Sequence, residues 1–247
     1  HLAQGVDAVH VVGGAVGGAV GGQVSDSLAG VIESGMCIGG GACTAADPSV
    51  RLELDPVRRT FRPDRPSGPL AASVCPGVGV DFAGLHAELF PGREVTPCGV
   101  VEHVWLAQRT DEGRNRRASS GGLIKELLLE LLARDDVDGA IALDHGHGLD
   151  FPPRLLTSAE EVDALPGSIY HALDLSAALD ILRSTEGRFV LVAIPCQLEG
   201  IHQYVSRVAP ELRERIHTTI GLLCGWQYSH RSIDAMLDFA GMADGEV

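Results

Sequence analysis

Apolar residues recur at the spacing of an α-helix in the second half of the chain. Within residues 123–134 they fall at positions 124, 127, 128, 131 and 132, which predicts an amphipathic helix. The same pattern predicts helices over residues 175–183, 198–208 and 232–240. A capping box, formed by Ser158 and by Glu161 three residues later, predicts a further helix that ends near Pro166.

Short apolar runs lie between these helices. Residues 189–194 are continuously apolar, which is typical of a strand covered on both faces, and residues 137–143 and 218–223 also predict strands. Strands that alternate with helices indicate βαβ units. We therefore expect an α/β fold, with a mostly parallel sheet and flanking helices.

The first part of the chain lacks such periodicity. Residues 1–34 predict a glycine-rich leader or linker, because Asp7 and His10 interrupt a stretch whose glycine spacing would otherwise suit a membrane helix. Residues 35–98, called here the cysteine-bearing segment, are rich in Gly, Pro and Cys, and four prolines within residues 51–69 exclude a regular helix. A loop-rich segment of this kind needs something besides an apolar core to hold it, and a metal centre would serve.

The composition narrows the function. The 247 residues include 19 Lys and Arg against 33 Asp and Glu, a net charge of −14. This balance argues against nucleic acid as a partner, because binding to phosphates needs a basic surface. Six cysteines in a chain of this length do not make a disulfide scaffold. We expect a cytoplasmic protein without a membrane span.

Two cysteines follow the spacing of an iron–sulfur site. In the bacterial ferredoxin run C-x2-C-x2-C-x3-C-P, the ligands would fall at positions 37, 40, 43 and 47. Cys37 and Cys43 occupy two of these positions, whereas Gly40 and Asp47 occupy the others. Cys75, followed by Pro-Gly, adds a third thiol. Three thiolates can hold a 4Fe–4S cluster with one labile iron, or a 3Fe–4S cluster.

Two alternatives stay open for this run. Small residues buried in a glycine loop would also explain two cysteines six positions apart. Cys98 could supply a substitute for the ligand that is missing at position 40.

Five short motifs between residues 37 and 225 occur in the order of a known family. The cysteine run is similar to CxGCGxC followed later by CPG. Residues 117–123 (RASSGGL), 167–170 (GSIY), 195–197 (PCQ) and 221–225 (GLLCG) resemble that family's R-x-SSGG, GS-x-Y, PCQ and GxxCG segments. Together they resemble the β subunits of coenzyme F420 hydrogenases and dehydrogenases.

The resemblance implies a flavoprotein that carries FAD and a 4Fe–4S cluster. Such a subunit passes electrons between a redox partner protein and the deazaflavin coenzyme F420 or another two-electron substrate. Residues 35–98 would form a degenerate iron–sulfur module, and residues 99–247 a flavin-binding α/β domain that continues beyond the C-terminus of the sequence. The implied metal ligands are Cys37, Cys43 and Cys75. The implied cofactor-binding residues are Arg117, Ser119, Ser120, Gly121, Gly122, Ser168, Tyr170, Cys196 and Gln197.

The Ser-Ser-Gly-Gly sequence at residues 119–122 is the predicted seat of the FAD pyrophosphate. It would place hydroxyls and bare N–H groups at the positive end of the helix that follows. Arg114, Arg116 and Arg117 precede it in an otherwise acidic chain. The alternative is an ordinary serine N-cap beside solvated arginines.

Cys196 and Cys224 each follow a predicted strand, with a helix between them. A right-handed crossover would place both at the same sheet edge, where ligands of open α/β sheets bind, so that Cys196 and Gln197 would line the flavin ring. The alternative is that both thiols are inert and buried. His145 and His147 have the spacing of some zinc sites, but an exposed loop is the better interpretation because no third ligand stands out.

Two other functions compete with the oxidoreductase. With Gly40 in place of a ligand, the chain could be a cluster-deficient paralogue that binds flavin or acts as a scaffold without catalysis of its own. A zinc enzyme built on His145 and His147 is the weakest hypothesis.

Overall fold

The computed structural model describes residues 27–134 and 136–242. The predicted leader up to residue 26 therefore lies outside the described residues. The helices are α1 (Leu28–Ser34), α2 (Ala42–Ala46), α3 (Pro69–Val74), α4 (Phe82–Leu89), α5 (Glu112–Arg116), α6 (Leu123–Ala133), α7 (Ala159–Ala164), α8 (Ser176–Ser184), α9 (Pro195–Arg207) and α10 (His230–Ala240). The strands are β1 (Leu52–Leu54), β2 (Phe61–Pro63), β3 (Gly139–Leu143), β4 (Pro153–Leu156), β5 (Phe189–Ala193) and β6 (Ile216–Gly221).

The main sheet has the strand order β4-β3-β5-β6. β3, β5 and β6 run parallel, with Leu191 paired to Ile141 on one side and to Thr219 on the other. β4 runs antiparallel to β3 at one edge. The predicted α/β fold with a mostly parallel sheet is thus confirmed. Strand β4 was not predicted. It begins with Pro153 at an edge of the sheet, where a proline removes no ladder hydrogen bond.

Helices cover both faces of this sheet. On one face, α8 and α9 pack their buried residues Leu179, Leu182 and Ile201 against Phe189 and Leu191. On the other face, α6 and α7 contribute Leu128 and Val162 to a second buried cluster. The alternation of inward-facing residues on β5 thus serves two cores, which explains why its sequence is apolar throughout.

The proline-broken stretch forms a hairpin rather than a helix. β1 and β2 pair antiparallel, and the Asp55 carboxylate accepts hydrogen bonds from the backbone N–H groups of Val57 and Arg58, both at 2.7 Å. These two bonds order the turn between the strands. As predicted, the prolines exclude a helix here. The pairing of the two strands was not predicted.

The cysteine-bearing segment also has apolar packing that the sequence analysis did not predict. Cys43 and Ala71 are buried together with Leu28 and Ile32 of α1. Ala42, Ala45 and Val74 belong to the same buried cluster as the α8 and α9 side of the main sheet. The short helices α2 and α3 are rich in alanine, so they show too little apolar periodicity to be recognised from sequence.

Two buried histidines join the hairpin to the loops that contain Leu149 and Ala172. The rings of His171 and His230 meet edge to face, with their centroids 5.0 Å apart. The Nε2–H of His171 donates to the Leu149 carbonyl at 2.7 Å, and that of His230 donates to the Ala172 carbonyl at 2.8 Å. The His230 backbone N–H donates to the carbonyl of Arg59 in the hairpin. Burial lowers the pKa of His171 from its usual 6.5, and His230 lowers it further.

Across residues 27–134 and 136–242, we find no helix with the length and apolar character needed to cross a bilayer.

A candidate thiol-lined cofactor site

Four of the six cysteines line one cavity. Cys37 lies in the loop before α2, Cys43 on α2, Cys75 at the end of α3 and Cys196 in the first turn of α9. The cavity, called here the thiol cavity, measures about 20 Å³, which is room for about one water molecule. Its other walls include Leu28, Ile38 and Leu52. Cysteines from distant parts of the sequence thus line the same apolar cavity.

The glycine loop that carries Cys37 lies directly on the sheet domain. Gly41, the N-cap of α2, has a φ of 74°, and a Cβ there would lie 2.6 Å from the backbone nitrogen of Ser176. The Leu175 backbone N–H donates to the Gly39 carbonyl at 3.2 Å. No side chain fits at position 41, so glycine permits the contact that fixes this loop.

Helix α9 brings Cys196 to the wall of the thiol cavity. Pro195 occupies the first turn, and the Gln197 side chain accepts a hydrogen bond from the Ile194 backbone N–H at 3.3 Å. One turn after Cys196, a Cβ on Gly200 would lie 3.3 Å from the Ala42 Cβ and 3.4 Å from the ring of Pro76. A small residue at position 200 therefore lets α9 approach both cysteine loops. Gln197 is 2% exposed, and its side chain is used in capping the helix. The predicted contact of Gln197 with a cofactor stays a prediction.

Burial dominates the protonation of these thiols. It raises the pKa of Cys43 to about 12, with further increases from Cys75 and Cys37. It also raises the pKa values of Cys37 and Cys75. For Cys196, burial raises the pKa to about 11, and Glu199 and Cys224 add to this increase. A helix N-terminus favours a thiolate, but desolvation has the larger effect here.

The other candidate ligands lie elsewhere. Asp47 accepts hydrogen bonds from Ser49 and Ser67 and does not line the thiol cavity. Cys98 is exposed in a turn where Thr96 and Gly99 pair. Gly40 does line the cavity, and a Cβ there would make ordinary contact with the Ile38 side chain at 3.4 Å.

No three His, Cys, Asp or Glu side chains of the described residues are arranged to hold a single metal ion. His145 and His147 are exposed, so the structure gives the zinc hypothesis no support.

The double-serine turn, Ser119–Gly122, lies next to the other predicted cofactor-binding motif, residues 167–170. It forms a 3-10 turn, and the Ser119 Oγ accepts a hydrogen bond from the Ser168 backbone N–H at 3.1 Å. Helix α6 begins afterwards, with Gly122 as its N-cap and without a side-chain cap, so the alternative of an ordinary serine N-cap is wrong. Residues 49 positions apart in sequence are thus adjacent, on an exposed surface.

A buried arginine anchors this turn. The backbone N–H of Arg109 donates to the Gly121 carbonyl at 2.9 Å. Its guanidinium, 3% exposed, forms ion pairs with Glu126 of α6 and with Asp163 of α7, the latter at 3.4 Å. Arg109 was not among the predicted site residues, because nothing in its local sequence distinguishes it from an exposed arginine. A Cβ on Gly122 would lie 2.8 Å from the Ala118 Cβ and 3.0 Å from the Arg109 Cγ.

The predicted basic cluster before the turn is partly neutralised. Arg114 pairs with Asp163 at 3.0 Å, and Arg116 pairs with Glu112 at 3.6 Å on the exposed face of α5. Arg117 is exposed. Fewer of these arginines than expected are therefore available to a phosphate.

Tyr170 is 59% exposed, and its carbonyl accepts a hydrogen bond from the Tyr228 backbone N–H at 2.7 Å. This bond joins the loop of residues 167–170 to the stretch of chain that follows β6. Cys224, in the same stretch, is exposed. Tyr170 is thus free of the core and open to a ligand.

The fold and these motifs define a mixed α/β protein with a thiol-lined cavity at the carboxyl end of a parallel strand. Residues 104–180 match the model of the N-terminal part of the beta subunit of coenzyme F420 hydrogenase/dehydrogenase, and residues 186–247 match the model of its C-terminal part. Together these matches cover more than half of the chain. The chain belongs to the family of coenzyme F420 hydrogenase/dehydrogenase beta subunits, as the motifs predicted. The two matched ranges begin after Cys75.

Curated relatives share about half of this chain. One subunit of the F(420)H(2) dehydrogenase of Methanosarcina mazei is 29% identical over 124 residues, 50% of this chain and 34% of that protein. The beta subunit of the F420-dependent formate dehydrogenase of Methanocaldococcus jannaschii is 31% identical over 121 residues, 49% of this chain and 31% of that protein. The matched regions thus span about a third of the length of these relatives.

Among solved structures, a chain of the F420-reducing NiFe hydrogenase complex from Methanosarcina barkeri is similar, with a TM-score of 0.49 and 22% identity. The match covers 57% of this chain and 50% of that one.

Proposed function

We propose that this chain is part of an oxidoreductase subunit that uses FAD and a 4Fe–4S cluster to pass electrons between a redox partner protein and coenzyme F420 or another two-electron substrate. The observation that carries the proposal is the meeting of Cys37, Cys43 and Cys75 on one cavity. The family is one of oxidoreductase subunits, and both curated relatives are named for F420.

The donor set of the thiol cavity fits an iron–sulfur cluster. Thiolates are the usual ligands of such clusters. An apolar shell, with backbone N–H groups that point toward the sulfur atoms, sets the reduction potential of the cluster. A cluster of four irons and four sulfides needs more than the room of one water molecule. The cavity would therefore have to widen as the cluster binds, while the contact of Gly41 with Ser176 holds this end of the loop on the sheet domain.

The chemistry divides between two cofactors. A cluster exchanges single electrons, and FAD converts them to hydride-level chemistry. In this chain, Cys37, Cys43 and Cys75 would hold the cluster. The double-serine turn would hold the FAD pyrophosphate, with its backbone N–H groups at the start of α6 and with Arg117 exposed beside it.

Anaerobic purification followed by iron, sulfide and flavin assays tests the proposal. The wild-type chain should contain iron, sulfide and FAD. Cys75→Ser should lose iron while it keeps FAD, and Cys98→Ser, in an exposed turn outside the cavity, should retain both. A wild-type chain that contains neither cofactor, even after anaerobic reconstitution with ferrous iron, sulfide and FAD, would overturn the proposal.

Gly40 favours a second candidate, a cluster-deficient paralogue that binds flavin or acts as a scaffold. The residue lies on the cavity wall, at the position where the resembling motif has a cysteine. In the same assays, FAD without iron or sulfide would support this candidate and contradict the first.

A further inference from the structure

The thiol cavity raises the question of a fourth ligand. Cys37, Cys43 and Cys75 all come from the cysteine-bearing segment, and Gly40 offers no side chain. Asp47 and Cys98 lie away from the cavity, as described above. Cys224 is exposed and is absent from its walls. Of the cysteines in the structure, Cys196 alone joins the first three on the cavity wall.

We infer that Cys196 is the fourth thiolate of this site and takes the place that Gly40 leaves open. The inference rests on the proposed function, and it changes the role predicted for Cys196 from lining the flavin ring to binding iron. Each cysteine would bind as a thiolate and release its proton to solvent, without transfer of electrons.

The packing of α9 supports this assignment. Gly200 lies one turn after Cys196 and also lines the cavity. Its missing side chain lets α9 rest on Ala42, next to Cys43, and on Pro76, next to Cys75. The first turn of α9 is held by the Gln197 cap, which fixes the backbone of Cys196 at the wall of the cavity before any cofactor binds.

This arrangement would make the cluster a bridge within the molecule. Three ligands belong to the cysteine-bearing segment, and the fourth follows β5 of the main sheet. Electrons at the cluster would then have a short covalent connection to the carboxyl edge of the sheet, where open α/β folds bind their ligands.

The test compares Cys196→Ser with Cys98→Ser in the full chain, purified anaerobically. In Cys196→Ser, iron should fall from about four atoms a chain to three or fewer, with the EPR signal of a three-iron cluster on oxidation. FAD content should stay unchanged. Cys98→Ser should match the wild type in iron, sulfide and EPR spectrum.

A rescue separates a ligand from a structural residue. Gly40 faces the cavity with space for a Cβ, so Gly40→Cys combined with Cys196→Ser should restore iron content and the four-iron spectrum. Circular dichroism of Cys196→Ser and of the double variant shows whether each is folded. If Cys196→Ser alone folds poorly, the iron content of the double variant still tests the inference.

Three results would overturn the inference. Wild-type iron and EPR spectra in Cys196→Ser, with iron lost in Cys75→Ser, would refute the role of Cys196 while the proposed function stands. A loss of FAD with iron retained would place Cys196 at the flavin. A wild-type chain without iron after reconstitution would refute the proposed function, and this inference with it.

Discussion

Replacing Gly122 by alanine tests how tightly the double-serine turn is built around Arg109. Gly122 has a φ of 69°, so alanine must adopt the left-handed region at a cost of about 1 kcal/mol. Its Cβ would also press on Ala118 and on the stem of Arg109. Arg109 cannot yield without loosening its ion pairs to Glu126 and Asp163.

The size of this second effect follows from burial. A hydrogen bond to a charged group contributes about 1.5–3 kcal/mol, and the low end applies because Glu126 and Asp163 are 41% and 35% exposed. The total loss is then about 2.5 kcal/mol. For a domain of this size, the melting temperature should fall by about 5–10 °C.

Gly148→Ala is the matched control. Gly148 has a φ of 59°, and no atom lies near its virtual Cβ, so alanine there pays the backbone cost alone, about 1 kcal/mol. Thermal unfolding followed by circular dichroism compares the two variants. Equal shifts in melting temperature would show that Arg109 does not restrain the turn, and the structural account of the anchor would be wrong.

Three further predictions concern single groups. Ser119→Ala removes the hydrogen bond from Ser168, so FAD should bind about fivefold more weakly in a fluorescence titration, and an unchanged Kd would argue against a flavin seat at this turn. Ser158→Ala breaks the capping box of α7 and should cost about 1 kcal/mol in urea unfolding, whereas Ser158→Asp should cost much less. Burial lowers the pKa of His171, so below pH 6.5 the unfolded chain binds a proton that the folded chain does not bind. The free energy of unfolding should therefore be constant above the usual pKa of 6.5 and decrease as the pH drops below it. Urea midpoints against pH should show this decline, and His171→Gln should flatten it.

The sequence predicts those helices and strands whose buried faces show as an apolar pattern within the element itself. Helix α6 and strand β5 each carry an apolar pattern that follows directly from the faces they bury, and their positions were predicted to within about two residues. The capping box of α7 was also predicted, because both of its side chains lie within one turn. Strand β4 and helices α1–α4 are short, and their stability comes from neighbours far away in sequence, so no local pattern indicates them.

The candidate site divides in the same way. Spacing and motif resemblance grouped Cys37 and Cys43 with Cys75. The arrival of Cys196 depends on how α9 packs on α2, which no spacing encodes. The one available signal was Gly200, a glycine inside a helical pattern, which often marks a close approach of backbones. Arg109 was missed since its burial is decided by acids on two later helices.

The buried cluster that Ala42, Ala45 and Val74 share with Leu198 and Ile201 has a practical consequence for anyone who shortens this protein. A fragment that starts at residue 99 would bare an apolar flank of α8 and α9 to solvent, and we expect it to aggregate rather than to report on flavin binding. Useful truncations should therefore keep the whole cysteine-bearing segment.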